Sequence, residues 1–280
     1  MSKRSFAVIG HPIGHTMSPF IHSRLFSLAG EEGEYVVLDV APEELPVRIK
    51  ELDKLAGYNI TIPNKQKIIP YLDRLDKKAA LYGSVNTVKN GSVREGFTTD
   101  PDGFLKALEY GGIPFAGRVA VVGCGGVART FAYEAVLAGC DLTVAARPED
   151  AESQSALSLE ISERLGGKKI NTCLISELSG DIDLLINATP VGMYPKTDGM
   201  AVSEKTLSKC AAVFDAVYNP LKTKLVQAAL ANGSKAVGGM SMLVWQAVVS
   251  HEIWDGTVYS REDIDQLIED SAREQNRLFC

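Results

Sequence analysis

Residues 119–129, VAVVGCGGVAR, join a short apolar run to three glycines and a helical pattern. Glycine permits a tight turn after a strand, and its missing side chain lets backbone N–H groups approach a phosphate. The N-terminus of the following helix adds a partial positive charge at the same point. This arrangement predicts a loop that holds the pyrophosphate of a dinucleotide, but an ordinary strand-to-helix turn can carry the same letters.

The next predicted strand, DLTVAA, ends about 20 residues after this loop, where a dinucleotide-binding fold places the residue that contacts the adenosine ribose. Ala146 stands there, followed by Arg147. A carboxylate would accept from the 2′-hydroxyl of NAD, whereas an arginine suits the 2′-phosphate of NADP. Arg147 could instead be a solvated loop charge, and Glu149 and Asp150 could reach back to the ribose. The pattern favours NADP and leaves NAD as the alternative.

A second set of chemical groups lies near the start of the chain. The hydroxyls of Thr16 and Ser18 precede Pro19, which begins a helical pattern. Together with the N–H groups of that helix they could bind a carboxylate, or one of them could simply cap the helix.

Lys65 and Asp100 could each belong to a ligand site or to a helix end. Lys65 follows a predicted strand, where ligand-binding residues occur, and it could equally cap a surface helix. Asp100 precedes Pro101, which suits the first position of a helix, so Asp100 could be the N-cap, face a ligand, or do both.

Strand and helix patterns alternate along the chain and must position these groups. Apolar runs predict strands at SFAVIG, EYVVLDV, GYNITI, RVAVVG, DLTVAA, DLLIN and AAVFDAV. Helical patterns lie between them, including PEELPVRIKELDKLA and PDGFLKALEYGG. This order predicts an α/β protein of two α/β domains with a cleft between them, where ligands sit at the carboxyl ends of strands.

Composition excludes several classes of function. The net charge is -6, so nucleic acid and anionic membranes are poor partners. No apolar stretch reaches the length of a membrane span or signal peptide, so we expect a cytoplasmic protein. The five cysteines are scattered, without metal-ligand spacing, and are expected to be buried free thiols; no metal is expected.

Eight segments together resemble the shikimate dehydrogenase family, in order and spacing over essentially the whole chain. They are GHPIGHTMSP, NITIPNK, SVNT, TTDPDGF, GCGGVAR, NATPVGM, DAVYNP and GGMSMLVWQA. The resemblance implies a substrate-binding domain at 1–103, completed by helices at 240–280, and a Rossmann-type NADP-binding domain at 104–239. It also implies the reversible NADP-dependent reduction of 3-dehydroshikimate to shikimate, in the biosynthesis of chorismate and aromatic amino acids, by a monomer or homodimer.

The resemblance further implies a role for individual residues. Lys65 and Asp100 become the catalytic pair. The substrate would be bound by Thr16, Ser18, Thr61, Asn86, Tyr218 and Gln246. The cofactor would be bound by Gly123, Gly125, Gly126, Val127, Ala128, Arg147, Thr189, Ala216, Gly239 and Met242. The family's Asn-Arg-Thr after the second nucleotide-domain strand is Ala146-Arg147-Pro148 here, and its later second arginine is missing.

Two alternatives remain open. A quinate or quinate/shikimate dehydrogenase that uses NAD would share the same machinery. A non-catalytic regulatory protein that binds NADP or a shikimate-like ligand would share the fold, but would be expected to lose Lys65 or Asp100.

Overall fold

The alternating strand and helix patterns form two six-stranded sheets in the computed structural model, which describes residues 4–14 and 16–279. The chain divides into two units, the first from 1–102 with 244–280 and the second from 103–243. We call these unit 1 and unit 2. Each unit contains one of the sheets together with helices, which confirms the predicted α/β class.

The described strands are β1 (Arg4–Gly10), β2 (Gly33–Asp39), β3 (Gly57–Ile60), β4 (Arg74–Leu75), β5 (Thr87–Asn90), β6 (Arg94–Phe97), β7 (Arg118–Val122), β8 (Asp141–Ala146), β9 (Asn171–Leu174), β10 (Ile182–Asn187), β11 (Cys210–Asp215) and β12 (Lys235–Gly238). The described helices are α1 (Ser18–Leu28), α2 (Leu45–Leu52), α3 (Asn64–Lys67), α4 (Lys77–Tyr82), α5 (Asp100–Tyr110), α6 (Gly126–Leu137), α7 (Ala151–Arg164), α8 (Glu204–Leu207), α9 (Lys224–Ala231), α10 (Met240–Asp255) and α11 (Arg261–Phe279).

The sheet of unit 1 is mixed, with strand order β2-β1-β3-β5-β6-β4. Strand β1 is parallel to both of its neighbours, while β5 runs antiparallel to β3 and β6. Because β5 and β6 form a hairpin, the residue before β5 and the residues after β6 come to the same end of the sheet. That end carries Asn86 and Thr99.

The sheet of unit 2 is entirely parallel, with strand order β12-β11-β10-β7-β8-β9. Read from β7, this is the doubly wound order of dinucleotide-binding folds, with the order reversing between β7 and β10. The central strands β7 and β10 carry apolar runs because both of their faces are covered; Leu184, Leu185 and Ile186 are completely buried. The predicted Rossmann-type architecture is therefore confirmed.

The prediction of a single helix over PEELPVRIKELDKLA is wrong. A 3-10 turn at Pro42–Glu44 comes first, and α2 covers only Leu45–Leu52. Pro46 lies in the first turn of α2 and has no N–H to continue the hydrogen bonds of a preceding helical turn. The Glu44 side chain instead accepts from the Ala41 N–H at 2.8 Å.

Candidate active site

Lys65 and Asp100 form an ion pair in unit 1. Lys65 lies on α3, directly after β3, and Asp100 is the first residue of α5. The distance from Lys65 Nζ to Asp100 Oδ2 is 2.6 Å, and the two side chains are 29% and 16% exposed. The pair is thus shielded from bulk water on most sides while its polar atoms remain reachable.

Asn86 fixes the orientation of the Asp100 carboxylate. Its Nδ2 donates to Asp100 Oδ1 at 2.9 Å, and its Oδ1 accepts from the Thr99 N–H at 2.8 Å. Asn86 is buried, and its own N–H donates to the Phe97 carbonyl across the hairpin. Both oxygens of Asp100 therefore have a defined donor, one from Lys65 and one from Asn86.

Two further predicted substrate contacts lie at this cluster or beside it. The Thr99 hydroxyl is 3.5 Å from Gln246 Oε1, so Gln246 on α10 belongs to the same polar cluster. Thr61 follows the end of β3, where its N–H donates to the Ile9 carbonyl and its carbonyl accepts from the Asn64 N–H. These two backbone hydrogen bonds fix the position of Thr61, four residues before Lys65.

Thr16 and Ser18 bond to each other at the start of α1. The Thr16 hydroxyl donates to Ser18 Oγ at 3.0 Å and accepts from the Ser18 N–H at 3.1 Å. The N-cap of α1 is Met17, which makes no side-chain cap bond. Neither hydroxyl is therefore the N-cap residue, and the two form a small polar group at the helix N-terminus.

Tyr35 and Asn59 support these side chains, and the sequence reasoning missed both. Tyr35 donates to Asn59 Oδ1 at 2.7 Å, and Asn59 Nδ2 donates to the Asn86 carbonyl at 3.2 Å. Burial raises the pKa of Tyr35 well above its usual value, against a smaller lowering by the Ser18 hydroxyl. A signal was present, because a polar Asn59 inside the otherwise apolar β3 needs a buried partner.

The predicted pyrophosphate loop of unit 2 has the geometry that a phosphate requires. Gly123 has a φ of +105°, and a Cβ there would lie 2.9 Å from Thr189 Cγ2. In contrast, a Cβ on Gly125 or Gly126 would meet nothing within 4 Å, so the helix N-terminus faces open space. The residues Val127 and Ala128 follow in the first turn of α6. A dinucleotide therefore fits here, with N–H groups and a helix dipole toward its phosphates.

A buried polar network joins the ends of β10 and β11, and the sequence reasoning missed this too. Asn187 Nδ2 donates to Asp215 Oδ1 at 2.9 Å, and the Thr223 hydroxyl donates to Asp215 Oδ2 at 2.5 Å. Burial raises the pKa of Asp215, against the opposing effect of these donors. Asn187 Oδ1 accepts from the Thr189 hydroxyl at 2.7 Å. The network thus holds Thr189 beside the glycine loop.

The other predicted cofactor contacts of unit 2 lie after β11 and β12. Asp215 Oδ1 accepts from the Val217 N–H at 3.0 Å, which fixes the segment containing Ala216. A Cβ on Gly239 would overlap the Ala216 carbonyl, so only glycine allows this close approach. Met242 is buried on the first turn of α10. Tyr218, the one predicted substrate contact in unit 2, has its pKa raised by burial.

Arg147 lies directly after β8, as predicted, but its guanidinium already has anionic partners. Its Nε is 2.8 Å from Asp150 Oδ2, and its Nη1 is 3.2 Å from Glu149 Oε1. The Arg147 side chain is 60% exposed. The acids that the sequence suggested might reach a ribose therefore turn to the arginine.

The expectation that all cysteines are buried is wrong. Cys210 is buried, whereas Cys124, Cys140 and Cys173 are partly exposed and free. Cys280 and His15 lie outside the described residues. Within residues 4–14 and 16–279 no group of three or more His, Cys, Asp and Glu side chains is suited to a metal ion. No helix in this same part of the chain is long and apolar enough to cross a bilayer.

The Rossmann strand order, the glycine loop and a shielded lysine–aspartate pair define a two-domain, dinucleotide-dependent oxidoreductase. Comparison with known proteins narrows this class. Residues 8–88 match the family model described as the shikimate dehydrogenase substrate binding domain. The chain is 36% identical over 269 residues to the shikimate dehydrogenase (NADP(+)) of Caldanaerobacter subterraneus subsp. tengcongensis, covering 94% of this chain and 95% of the relative.

Solved structures agree with the sequence relatives. A shikimate dehydrogenase crystallised with NADP+ has a TM-score of 0.88 at 35% identity, with 96% of each chain covered. The shikimate 5-dehydrogenase of Thermus thermophilus, in complex with NADP(H) and shikimate, has a TM-score of 0.85 at 32% identity, with 96% of this chain and 99% of that chain covered. This chain belongs to the shikimate dehydrogenase family.

Proposed function

We propose that this chain catalyses the reversible, NADP-dependent reduction of 3-dehydroshikimate to shikimate, with Lys65 and Asp100 as the catalytic pair. One observation carries the assignment of the pair: the 2.6 Å contact between Lys65 Nζ and Asp100 Oδ2, in a cluster that Asn86 orients. Several relatives carry the same activity in their names, including the shikimate dehydrogenase (NADP(+)) described above.

The chemistry follows from the two side chains. Reduction of a ketone needs a hydride at the carbon and a proton at the oxygen, and NADPH supplies the hydride when bound. Lys65 Nζ donates the proton to the substrate oxygen, because one of its three N–H bonds points to Asp100 and the others remain for the ligand. Asp100 holds the ammonium in place during transfer. In the oxidation direction the same groups take the proton back.

The remaining contacts divide between the two units. In unit 1, Thr16 and Ser18 would bind the substrate carboxylate, and Thr61, Asn86 and Gln246 the ring hydroxyls. In unit 2, we assign Tyr218 to the substrate, the glycine loop to the pyrophosphate, and Arg147 and Thr189 to the adenosine part. Ala216, Gly239 and Met242 would line the nicotinamide.

The domain roles follow the same division. We assign substrate binding to 1–103 with the helices at 240–280, and NADP binding to 104–239. The family model over residues 8–88 and the doubly wound strand order of unit 2 support these roles. A cytoplasmic monomer or homodimer, without nucleic-acid or membrane partners, agrees with the net charge of -6.

Initial rates with shikimate and with quinate, each with NADP and with NAD, test the proposal. We expect the highest kcat/KM for shikimate with NADP. Preference for quinate with NAD would instead favour the second candidate, a quinate dehydrogenase, for which the acids paired with Arg147 are the supporting observation. Tight binding of shikimate and NADP without turnover would indicate a regulatory protein.

A further inference from the structure

The carboxylate of Asp150 bonds to a side chain instead of capping the helix that it precedes. Asp150 occupies the N-cap of α7, where an aspartate normally accepts from an N–H of the first helical turn. It makes no such cap bond here. Its carboxylate accepts from Arg147 Nε at 2.8 Å instead. The partner of Asp150 is therefore the arginine that the proposed function assigns to the cofactor.

The backbone holds Asp150 in this position. Residues Pro148–Asp150 form a 3-10 turn, and the Asp150 N–H donates to the Arg147 carbonyl at 3.0 Å. The Asp150 carbonyl lies 3.8 Å from Cys124 Sγ in the glycine loop. The carboxylate is thus presented to Arg147 by a local turn, next to the loop that receives the phosphates.

A carboxylate and a phosphate compete for the same face of a guanidinium. Both are anions whose paired oxygens match the N–H groups of arginine. With Nε bonded to Asp150 and Nη1 near Glu149, each two-nitrogen face of the guanidinium already has a carboxylate on one of its nitrogens, so a 2′-phosphate that binds either face competes with that carboxylate. NAD carries no 2′-phosphate and meets no such competition.

We infer that Asp150 is a specificity-determining residue, which lowers the affinity of this chain for the 2′-phosphate of NADP by occupying Arg147. The inference rests on the proposed function, because it takes NADP as the cofactor that Arg147 contacts. It places the control of cofactor preference in the 3-10 turn as well as in the arginine. Glu149 contributes less, since its contact with Arg147 is longer.

Nucleotide fragments test this without any substrate. We would measure the binding of adenosine 2′,5′-bisphosphate and of 5′-AMP to the full chain by calorimetry at low salt. Asp150→Asn should tighten the bisphosphate about three- to fivefold, the range expected for an exposed ion pair, and leave 5′-AMP unchanged. The matched control is Glu152→Gln, which removes the same charge two residues along, at an exposed position. It should leave both affinities unchanged.

A double-mutant cycle separates competition from simple charge repulsion. In an Arg147→Ala background, Asp150→Asn should no longer change the affinity for the bisphosphate, because Asp150 acts by occupying the guanidinium of Arg147. An undiminished gain in that background would overturn the inference, as would weaker bisphosphate binding in Asp150→Asn alone. Turnover of shikimate by the wild-type chain is a separate readout, so its absence would count against the proposed function, whereas the fragment affinities test the role of Asp150.

Discussion

Two ion pairs of the chain, Lys65–Asp100 in unit 1 and Arg147–Asp150 in unit 2, are built in opposite ways. Asp100 lies 35 positions after Lys65 in the sequence, and the buried Asn86 orients its carboxylate. Asp150 is only three positions from Arg147, on an exposed turn. The first pair joins distant parts of the chain, whereas the second lies within a single local turn.

The two ion pairs need different degrees of rigidity. A proton-transfer group must be held in its productive geometry before the substrate arrives, and a shielded environment strengthens its interactions. A cofactor phosphate only needs to be bound, and an exposed arginine contributes little and can be tuned by its neighbours. Under the proposed function, the catalytic pair would lie in unit 1 and the control of cofactor choice in unit 2.

Acid should destabilise unit 1, because the two buried histidines of the described residues, His22 and His251, lie in its segments. Burial lowers the pKa of His251 to about 3 and that of His22 well below its usual value. As the pH falls, His22 and His251 bind protons in the unfolded chain before they do so in the folded chain. The free energy of unfolding is therefore at its full value above about pH 6.5 and decreases as the pH drops toward the folded pKa values. For His251 the loss is about 1.4 kcal/mol per pH unit below pH 6.5, or about 2 kcal/mol at pH 5, and His22 adds a loss of the same sign.

Urea unfolding from pH 7.5 to pH 5, followed by tryptophan fluorescence, measures this effect, since both tryptophans lie in 244–280. His251→Gln should remove about half of the pH dependence. His11→Gln is the control. His11 is exposed and its hydrogen bond to Asp39 raises its pKa, so its removal should not reduce the loss at low pH. A flat stability profile would show that the histidines are not buried as described.

Asp100→Asn should lower kcat about a hundredfold or more, because the amide cannot hold the Lys65 ammonium as a carboxylate does. The affinity for NADP, measured by fluorescence titration, should stay within about twofold. Asp102→Asn, two residues further along α5, is the matched control and should keep nearly full kcat. Equal losses in both variants would mean that the start of α5, and not the carboxylate of Asp100, matters.

Removing both hydroxyls in Thr16→Ala/Ser18→Ala should mainly raise KM for shikimate. The expected loss is roughly 1–3 kcal/mol of binding, since each hydroxyl is a neutral donor to a charged acceptor. Steady-state kinetics at saturating NADP check this, with Ser23→Ala on the exposed side of α1 as the control. An unchanged KM would move the carboxylate site elsewhere.

Arg147→Ala should have the smallest effect, about a fivefold weaker affinity for NADP, because its guanidinium is exposed and already paired. The affinity for NAD should hardly change. Calorimetry with both cofactors decides the matter. Equal losses for NADP and NAD would indicate that Arg147 acts on the shared part of the nucleotide or on the loop itself.

Much of the fold follows from local patterns in the sequence. Strand β7, the glycine loop and α6 are specified by residues next to each other, and so are predictable. The thirteen-residue separation of Asn86 and Thr99 is closed by the β5–β6 hairpin, which the sequence reasoning missed. Its Asn90-Gly91 turn signal was present, but the flanking residues lack a clear apolar alternation.

The contacts between the residues of the candidate site were harder to predict than the identity of those residues. Nothing local brings Asp215 to Asn187, because these two residues meet only when β10 and β11 pair in register. Thr223 reaches Asp215 from the N-cap of α9, eight positions further along the chain. The pairing of Arg147 with Asp150 is the reverse case. It is local, and the sequence showed acids close to Arg147 but left open whether they reach the ribose, since the geometry of the 3-10 turn decides where the carboxylate points.

The most direct test of the proposed catalytic pair is the rate of a single turnover in Lys65→Ala. The variant is preloaded with NADPH and mixed with saturating 3-dehydroshikimate, and cofactor absorbance follows the chemical step. We expect a rate at least about a hundredfold below wild type, with NADPH affinity retained. Lys67→Ala, an exposed lysine on the same short helix, should react at the wild-type rate. A wild-type rate in Lys65→Ala would contradict the assignment of the catalytic pair.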